Sequence, residues 1–390
     1  MQNILDKSAP CSISPEVSIV PCADYGEEAV RAALTAVLAP FGGLGWVTPG
    51  MRVAVKVNLL GAHKPEKAAT THPALVTQLC RMLVARGASV VVGDSPGGFF
   101  TRAFLSPVYL ACGMHAVTDT GARLNDDFSE TDVSNPDGLL LRAFRCTRYL
   151  LEADAIIDVC KLKTHGLMAY TGAVKNMFGA IPGMKKSELH YQFSRTDAFA
   201  GMLIDLYARM RPRLCIADAV TIMEGNGPSV GTPRHMGALL AAENGHALDL
   251  LGARLMGLGV NDVPTLKAAF ARGYVPETAE QLSVNGAWLP FVAKDFCCTP
   301  IRSVISWGTG NPVLARAMER ALADRPAADG TLCTGCGVCA RHCPIHAVTM
   351  KGKRPLIDRG ACIRCFCCQE FCPAGAMQKR RPPLAKWLYR

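Results

Sequence analysis

Residues 153–166 read ADAIIDVCKLKTHG: an apolar run, then Lys161, Lys163 and His165 at every second position. A short continuous apolar run rich in isoleucine and valine is the pattern of a strand buried on both faces. Strands of that kind belong to parallel sheets covered by helices. On this reading the strand is DAIIDVC, and the cations after it sit where the chain leaves the sheet. Their period of two keeps them on one side. A few residues further on, TGAVKNMFG (171–179) adds Lys175 and Asn176 beside small and apolar residues.

The same alternation extends in both directions. EVSIVPC precedes an amphipathic GEEAVRAALTAVLAPF, MRVAVKVN precedes PALVTQLCRMLVARGA, and ASVVVGD precedes a helix-like FFTRAFLSPVYLACG. Beyond the opening stretch, TDAFAGMLIDLYARM leads into PRLCIAD, and an apolar MGALLAAEN comes before HALDLLGARLMGL. Strand and helix in turn define an α/β fold, with a largely parallel sheet and helices on both faces. The expected organisation is an α/β substrate-binding domain over 1–295, a connector over 296–328, a small C-terminal ferredoxin-like domain over 329–378, and a basic tail over 379–390.

The polar residues collect at the ends of these strands. RVAVKVN closes with Lys56 and Asn58, SVVVGD with Asp94 and Ser95, DAIIDVC with Lys161, Lys163 and His165, and LCIAD with Asp218 ahead of Glu224 and Asn226. In a parallel α/β sheet these ends share one edge, where ligands bind outside the carboxyl ends of the strands. Asp94 and Asp218 have two further readings, as helix caps or as partners of the lysines. Asp249 in HALDLL reads as a cap or core contact. The chain has no phosphate loop of the G-x4-G-K-S/T kind and no strand-associated G-x-G-x-x-G, so the nicotinamide and flavin fingerprints are lacking. Any cofactor held without a motif is left unknown.

Composition narrows the class. With 390 residues, 49% hydrophobic and 19% charged, the chain can bury one large core and carry an appendage. No apolar run reaches the roughly 18 residues of a membrane span. The N-terminus lacks a basic start and an apolar signal core, so a cytoplasmic location is expected. Eighteen cysteines then point to metal rather than disulfides. The net charge of +10 is concentrated. Residues 331–390 hold eleven Lys or Arg against Asp358 and Glu370, leaving the rest of the chain nearly neutral.

CTGCGVCARHCP (333–344) and CIRCFCCQEFCP (362–373) each contain C-x2-C-x2-C-x3-C-P, the run of bacterial two-cluster ferredoxins. Three close thiolates hold one 4Fe–4S cube, and the cysteine before proline reaches to the other. Cys333, Cys336, Cys339 and Cys372 are therefore expected on one cluster, and Cys362, Cys365, Cys368 and Cys343 on the second. Zinc uses C-x2-C pairs too, but two complete repeats closed by Cys-Pro favour clusters. Cys367 reads as a spare small residue, and Cys297 and Cys298 as buried ones. A basic electron-carrying module suits an acidic donor such as a ferredoxin or flavodoxin. Trp387, Leu388 and Tyr389 in the tail are either anchors or part of a solvated end. No element for reading nucleic acid accompanies the charge.

VKVN (55–58), GDSPGG (93–98), KLKTHG (161–166), TGAVKNMFG (171–179) and DAVTIMEGNGP (218–228) resemble the family called domain of unknown function 362. Its members pair an α/β domain with a two-cluster ferredoxin module in many cases. The resemblance implies those two modules and singles out these residues, without implying a substrate.

Two accounts of function follow. In the first, electrons pass from the clusters to a small anionic substrate at the sheet edge. Lys161, Lys163 and Lys175 bind a carboxylate, phosphate or developing oxyanion. His165 supplies a proton near neutral pH, and Lys56, Asn58, Asp94, Ser95, Asn176, Asp218, Glu224 and Asn226 form the substrate site, where Asn58 and Asn176 orient the substrate and Asp94 or Glu224 tunes a lysine or holds the histidine. In the second, the chain is an electron-transfer or docking subunit for a protein partner. A third, in which the clusters are structural and the chemistry is not redox, ranks below both.

Overall fold

The computed structural model describes residues 14–297, 322–380 and 382. The α/β domain runs β1 (Glu16–Pro21), α1 (Glu27–Leu38), β2 (Arg52–Lys56), α2 (Pro73–Val84), β3 (Ser89–Gly93), α3 (Arg102–Ala111) and β4 (Arg123–Leu124). A separate hairpin, β5 (Glu130–Ser134) with β6 (Ala143–Thr147), and a single turn α4 (Arg148–Leu151) lead to β7 (Ala155–His165) and β8 (Ala169–Thr171). Then come α5 (Ala173–Asn176), α6 (Lys185–Gln192), α7 (Thr196–Met210), β9 (Leu214–Glu224), β10 (Thr232–Ala242), α8 (Gly245–Leu255), α9 (Pro264–Ala271) and β11 (Ser283–Asn285).

One nine-stranded sheet has the order β11-β1-β10-β9-β7-β2-β3-β4, with β8 paired to β7. β4, β3, β2, β7 and β9 run parallel, so their carboxyl ends do share an edge. MGALLAAEN belongs to β10, which lies antiparallel between β9 and β1. Helices cover both faces. Val53, Val55, Ile157, Val159 and Ile216 pack with Leu34, Leu75 and Leu105 of α1 to α3. Their neighbours Ala54, Ile156, Cys160 and Ala217 pack with Phe199, Leu203, Leu248 and Leu266 of α7 to α9. Successive residues entering opposite cores is what the pleat imposes on a strand buried on both sides.

Two strand ends differ from expectation. β7 does not stop at Cys160 but continues through KLKTH, and β9 continues past Asp218 to Glu224. Every residue of β7 is buried. An ammonium group tolerates such a position only when paired or hydrogen-bonded, and the partners described below supply that.

The C-terminal module consists of β12 (Arg325–Ala328), α10 (Val338–Arg341), β13 (Val348–Lys351), β14 (Arg354–Ile357), α11 (Cys367–Glu370) and β15 (Met377–Arg380). β12 pairs antiparallel with β15, so residues 325–328 and 379–380 form one ladder of this module. β13 and β14 make a hairpin. Cys298 and most of the connector, with Trp387, Leu388 and Tyr389 of the tail, lie outside the described residues. Cys297, expected to be buried, is exposed: its backbone joins Gly225 and Glu224 while its thiol faces out.

Candidate functional site

The cations of the opening stretch are not equivalent. Lys161 is fully enclosed and its Nζ lies 2.9 Å from Asp218 Oδ2, with Tyr25 Oη also at 2.9 Å. Tyr25 donates to Asp218 Oδ1 at 2.7 Å and stacks on His72, whose backbone N–H donates to Oδ2. Asp218 thus sits mid-strand as the counter-ion of Lys161, the second of its expected readings. Lys56 is paired likewise, 2.9 Å from Asp94 Oδ1, while Asp94 Oδ2 accepts from the Leu59 N–H. Gly179 of KNMFG crosses this pair so closely that a Cβ there would stand 2.0 Å from Asp94 Oδ1.

Removing one member of a buried pair strands the other charge, at a cost of about 3–5 kcal/mol. Lys161→Ala is therefore expected to lower folding stability by about that amount in denaturant titrations. A Lys161→Ala protein as stable as the parent would show that Asp218 has no need of it.

A second network starts at Lys163. Its Nζ donates to Asn58 Oδ1 at 2.8 Å and to the Ala69 carbonyl at 2.5 Å, with no carboxylate in contact. Burial pushes its pKa down to about 7, while Glu370 opposes the shift and Lys175 and Lys161 add to it. Asn58 Nδ2 and Lys56 Nζ both donate to Asn176 Oδ1, at 3.0 and 2.9 Å. Asn176 Nδ2 donates in turn to Asp158 Oδ1 at 2.5 Å. Burial raises the Asp158 carboxyl to about 8 despite the opposing Lys56 and Asn176, so it is largely protonated at neutral pH.

His165 closes the row. Its Nδ1 accepts from the Leu167 and Met168 N–H groups at 3.0 and 3.2 Å, which puts its proton on Nε2. Nε2 lies 2.9 Å from Oε1 of Glu370, a residue of the ferredoxin module. The side chains of this pair are 2% and 11% exposed. Burial lowers the His165 pKa, and Glu370 pulls the other way. For Glu370, burial favours the neutral acid, but Lys175, His165 and His190 together win and hold the carboxyl well below the usual glutamate range. With both ring nitrogens occupied, His165 is not placed to hand a proton outward.

Lys175 has no hydrogen-bonded or ion-paired partner among the described residues. Its ammonium lies over the Phe178 ring at 4.7 Å and feels Glu370 and Cys367. Burial lowers its pKa.

Glu370 is one end of a seam between the modules. Gln369 Nε2 donates to Asn226 Oδ1 at 3.1 Å and to the Gly227 carbonyl at 3.3 Å, and Lys379 Nζ donates to the Gly166 carbonyl at 3.1 Å. Phe371 lies on Gly97 so closely that any Cβ there would stand 1.7 Å from the ring. The small residues of GDSPGG, KLKTHG and EGNGP are thus where the module meets the sheet edge. Ser95 Oγ accepts from the Gly183 N–H at 2.7 Å, and its carbonyl accepts from Lys186 Nζ at 2.6 Å. Lys186 also donates to the Ile181 carbonyl, and burial pushes its pKa down to about 7. Asn226 stays in the seam, whereas Glu224 is turned to Arg234 at 3.1 Å and to the Cys297 N–H. Asp249 accepts from the Ala173 and Val174 N–H groups and caps α5.

Sequence reading missed Glu370, Gln369, Lys186, Asp158 and Tyr25. Only Asp158 carried a local signal, a carboxylate inside an apolar strand.

None of the sixteen described cysteines is in a disulfide. Cys333, Cys336, Cys339 and Cys372 surround one apolar hollow, and Cys343, Cys362, Cys365 and Cys368 surround another. Among the described residues no three His, Cys, Asp or Glu side chains converge on a point fit for a single ion. Thiols ringing an apolar hollow suit a cube better than a lone zinc. Cys367 also lines the second hollow, is 1% exposed and contacts Cys365.

An α/β domain whose basic edge is covered by an iron–sulfur cluster-binding module defines the class. Residues 325–373 match the 4Fe-4S dicluster domain. Residues 53–254 match the Domain of unknown function (DUF362), and the chain belongs to that family. Over 271 residues it is 31% identical to the Thylakoid-associated protein sll1697 of Synechocystis sp., an alignment covering 68% of this chain and 81% of that protein. The lactate racemase apoprotein from Thermoanaerobacterium thermosaccharolyticum is 12% identical, with a TM-score of 0.33. That match covers 56% of this chain and 53% of the racemase, and carries no argument here. The iron–sulfur domain marks the chain as an electron-transfer protein. No helix among the described residues is long and apolar enough to cross a membrane.

Proposed function

We propose that this protein is an iron–sulfur oxidoreductase that reduces a small carboxylate- or phosphate-bearing substrate at the edge of its sheet. Cys333, Cys336, Cys339 and Cys372 hold the outer 4Fe–4S cluster, and Cys343, Cys362, Cys365 and Cys368 the inner one. Bound there, the clusters supply single low-potential electrons. The observation that carries the reading is the Glu370 carboxylate. It sits two residues from Cys368 and 2.9 Å from His165, in the field of Lys163 and Lys175. It occupies the place where an anionic substrate belongs, next to the inner hollow.

On this reading a small swing of Glu370 admits the substrate's anionic group between Lys163 and Lys175. Those fixed cations favour negative charge as it develops in a site with little water. Lys163, with a proton affinity near neutrality, supplies the proton that the sequence assigned to His165, and His165 instead positions Glu370. Asn58 and Asn176 orient the substrate, while Lys56, Lys161, Asp94, Asp218 and Asp158 keep the edge rigid. The two cysteine runs, which hold iron as thiolates, support a reducing, cytoplasmic setting.

One observation favours the second reading, a subunit that carries electrons to a protein partner: Lys56, Lys161, Lys163 and His165 already have internal partners. Anaerobic reoxidation separates the two. The reduced protein is mixed with fractionated anionic metabolites and followed by absorbance and electron spin resonance. Reoxidation by one fraction, lost in Lys163→Ala and Lys175→Ala at unchanged iron content, is the expected result. Clusters that stay reduced until a protein is added would overturn the substrate reading.

A further inference from the structure

We infer that the face around the outer cysteine hollow docks a small acidic one-electron carrier protein. The inference rests on the electron-transfer reading above, and it starts from an asymmetry between the two hollows. The inner one is backed by α11, whose Gln369 and Glu370 are bound into the seam with the α/β domain. The outer one has the more exposed lining, with Cys336 at the surface where no cysteine of the inner one is. An electron arriving from solution therefore meets the outer hollow first and the inner one, beside Glu370, second.

Three cations lie near the outer hollow. Arg341 Nη1 donates to the Cys336 carbonyl at 3.0 Å, which fixes a guanidinium against the cysteine loop itself. The backbone of Lys353 lies against Gly335, and its carbonyl is 4.0 Å from Cys333 Sγ. Arg354 reaches over Gly330. All three side chains are exposed. Leu332, next to Cys333 in the chain, is 46% exposed, an apolar spot on the same cysteine loop.

The acids of the module do not cancel this patch. Glu370 is consumed in the seam. Asp358 accepts from the Gly360 and Ala361 N–H groups on the side of Cys362. Asp329 accepts from Thr331 and lies 4.0 Å from Arg380, and Asp324, just before β12, pairs with Lys379 at 3.0 Å. Exposed cations with an exposed leucine on the same loop fit a protein surface rather than a small molecule, which would need a concave site. Positive sign selects an acidic partner, and clusters that each take one electron select a one-electron carrier.

The test uses the full chain loaded with iron and sulfide under anaerobic conditions. Its reduction is timed by stopped flow with a reduced, net-negative 2Fe–2S ferredoxin and, separately, with dithionite. The ferredoxin rate is expected to fall steeply as salt rises. At low salt K353E/R354E is expected to be slower by about tenfold or more, with a flattened salt dependence and an unchanged dithionite rate. A parent rate indifferent to salt, or a K353E/R354E rate equal to the parent's, overturns the assignment. Should K353E/R354E fail to load iron, K353Q/R354Q replaces it, with a smaller fall expected and an equal rate again overturning. These rates concern electron entry only. Failure of every metabolite to reoxidise the protein would defeat the substrate reading and leave this result standing.

Discussion

Glu370→Gln is expected to loosen the ferredoxin module from the α/β domain. Glutamine keeps the shape of the side chain and removes the charge that offsets Lys163 and Lys175 and faces the Nε2–H of His165. Glu370 is nearly enclosed, and Lys175, His165 and His190 hold its carboxyl well below the usual glutamate range. Stranding the cations without their anion should cost the seam about 3–5 kcal/mol, or roughly two to four orders of magnitude in how often it opens. Hydrogen exchange reads this directly, because the Leu167 and Met168 N–H groups donate to the same histidine and the Gly227 N–H to Thr164. Faster exchange at these amides, with distant helices such as α2 unaffected, is the expected pattern. Unchanged protection would mean that Gln369, Lys379 and the Phe371 contact hold the seam without the charge. The same variant should bind added sulfate more tightly than the parent, since the resident carboxylate no longer competes for the cations.

This pair also shows where the sequence stopped being informative. The α/β alternation was legible because each strand is a short apolar run and each helix has an apolar stripe. The cysteine runs were legible because their spacing is the chemistry. The reach of β7 and β9 was not, since the four polar residues of KLKTH look like the end of a buried strand. They are buried only because Asp218, Asn58, Ala69 and Glu370 come to meet them. No local pattern announces a partner that lies far off in the chain. Glu370 itself read as one of two acids in a basic module, a detail of net charge. Its role exists only once α11 is laid on the glycines at 97, 166 and 227. The strand-end cluster was therefore visible as a set of residues, while its division into rigid pairs and the proposed anion socket around Glu370 was a tertiary property.

The socket should also carry a pH signature, and its sign follows from Lys163. Burial brings this lysine down to about 7, so it is charged below neutrality and increasingly neutral above it. An anion bound beside it favours the charged form and raises its pKa. Between the free and bound values, binding takes up one proton. Affinity should then be flat at low pH and fall by about tenfold per pH unit once Lys163 loses its proton, a break that Glu370→Gln moves below pH 7 because the carboxylate opposing the shift is gone. Sulfate is the suitable probe because its own charge is constant over this range, whereas phosphate titrates within it. Calorimetry on the Glu370→Gln background gives the parent slope. Lys163→Met should bind weakly at every pH. Lys163→Arg, which stays charged throughout, should keep the affinity and lose the slope. Lys175 is the competing explanation, since burial lowers it too and it also faces Glu370. A slope that survives in Lys163→Arg would move the titration, and with it the proposed proton donor, from Lys163 to Lys175.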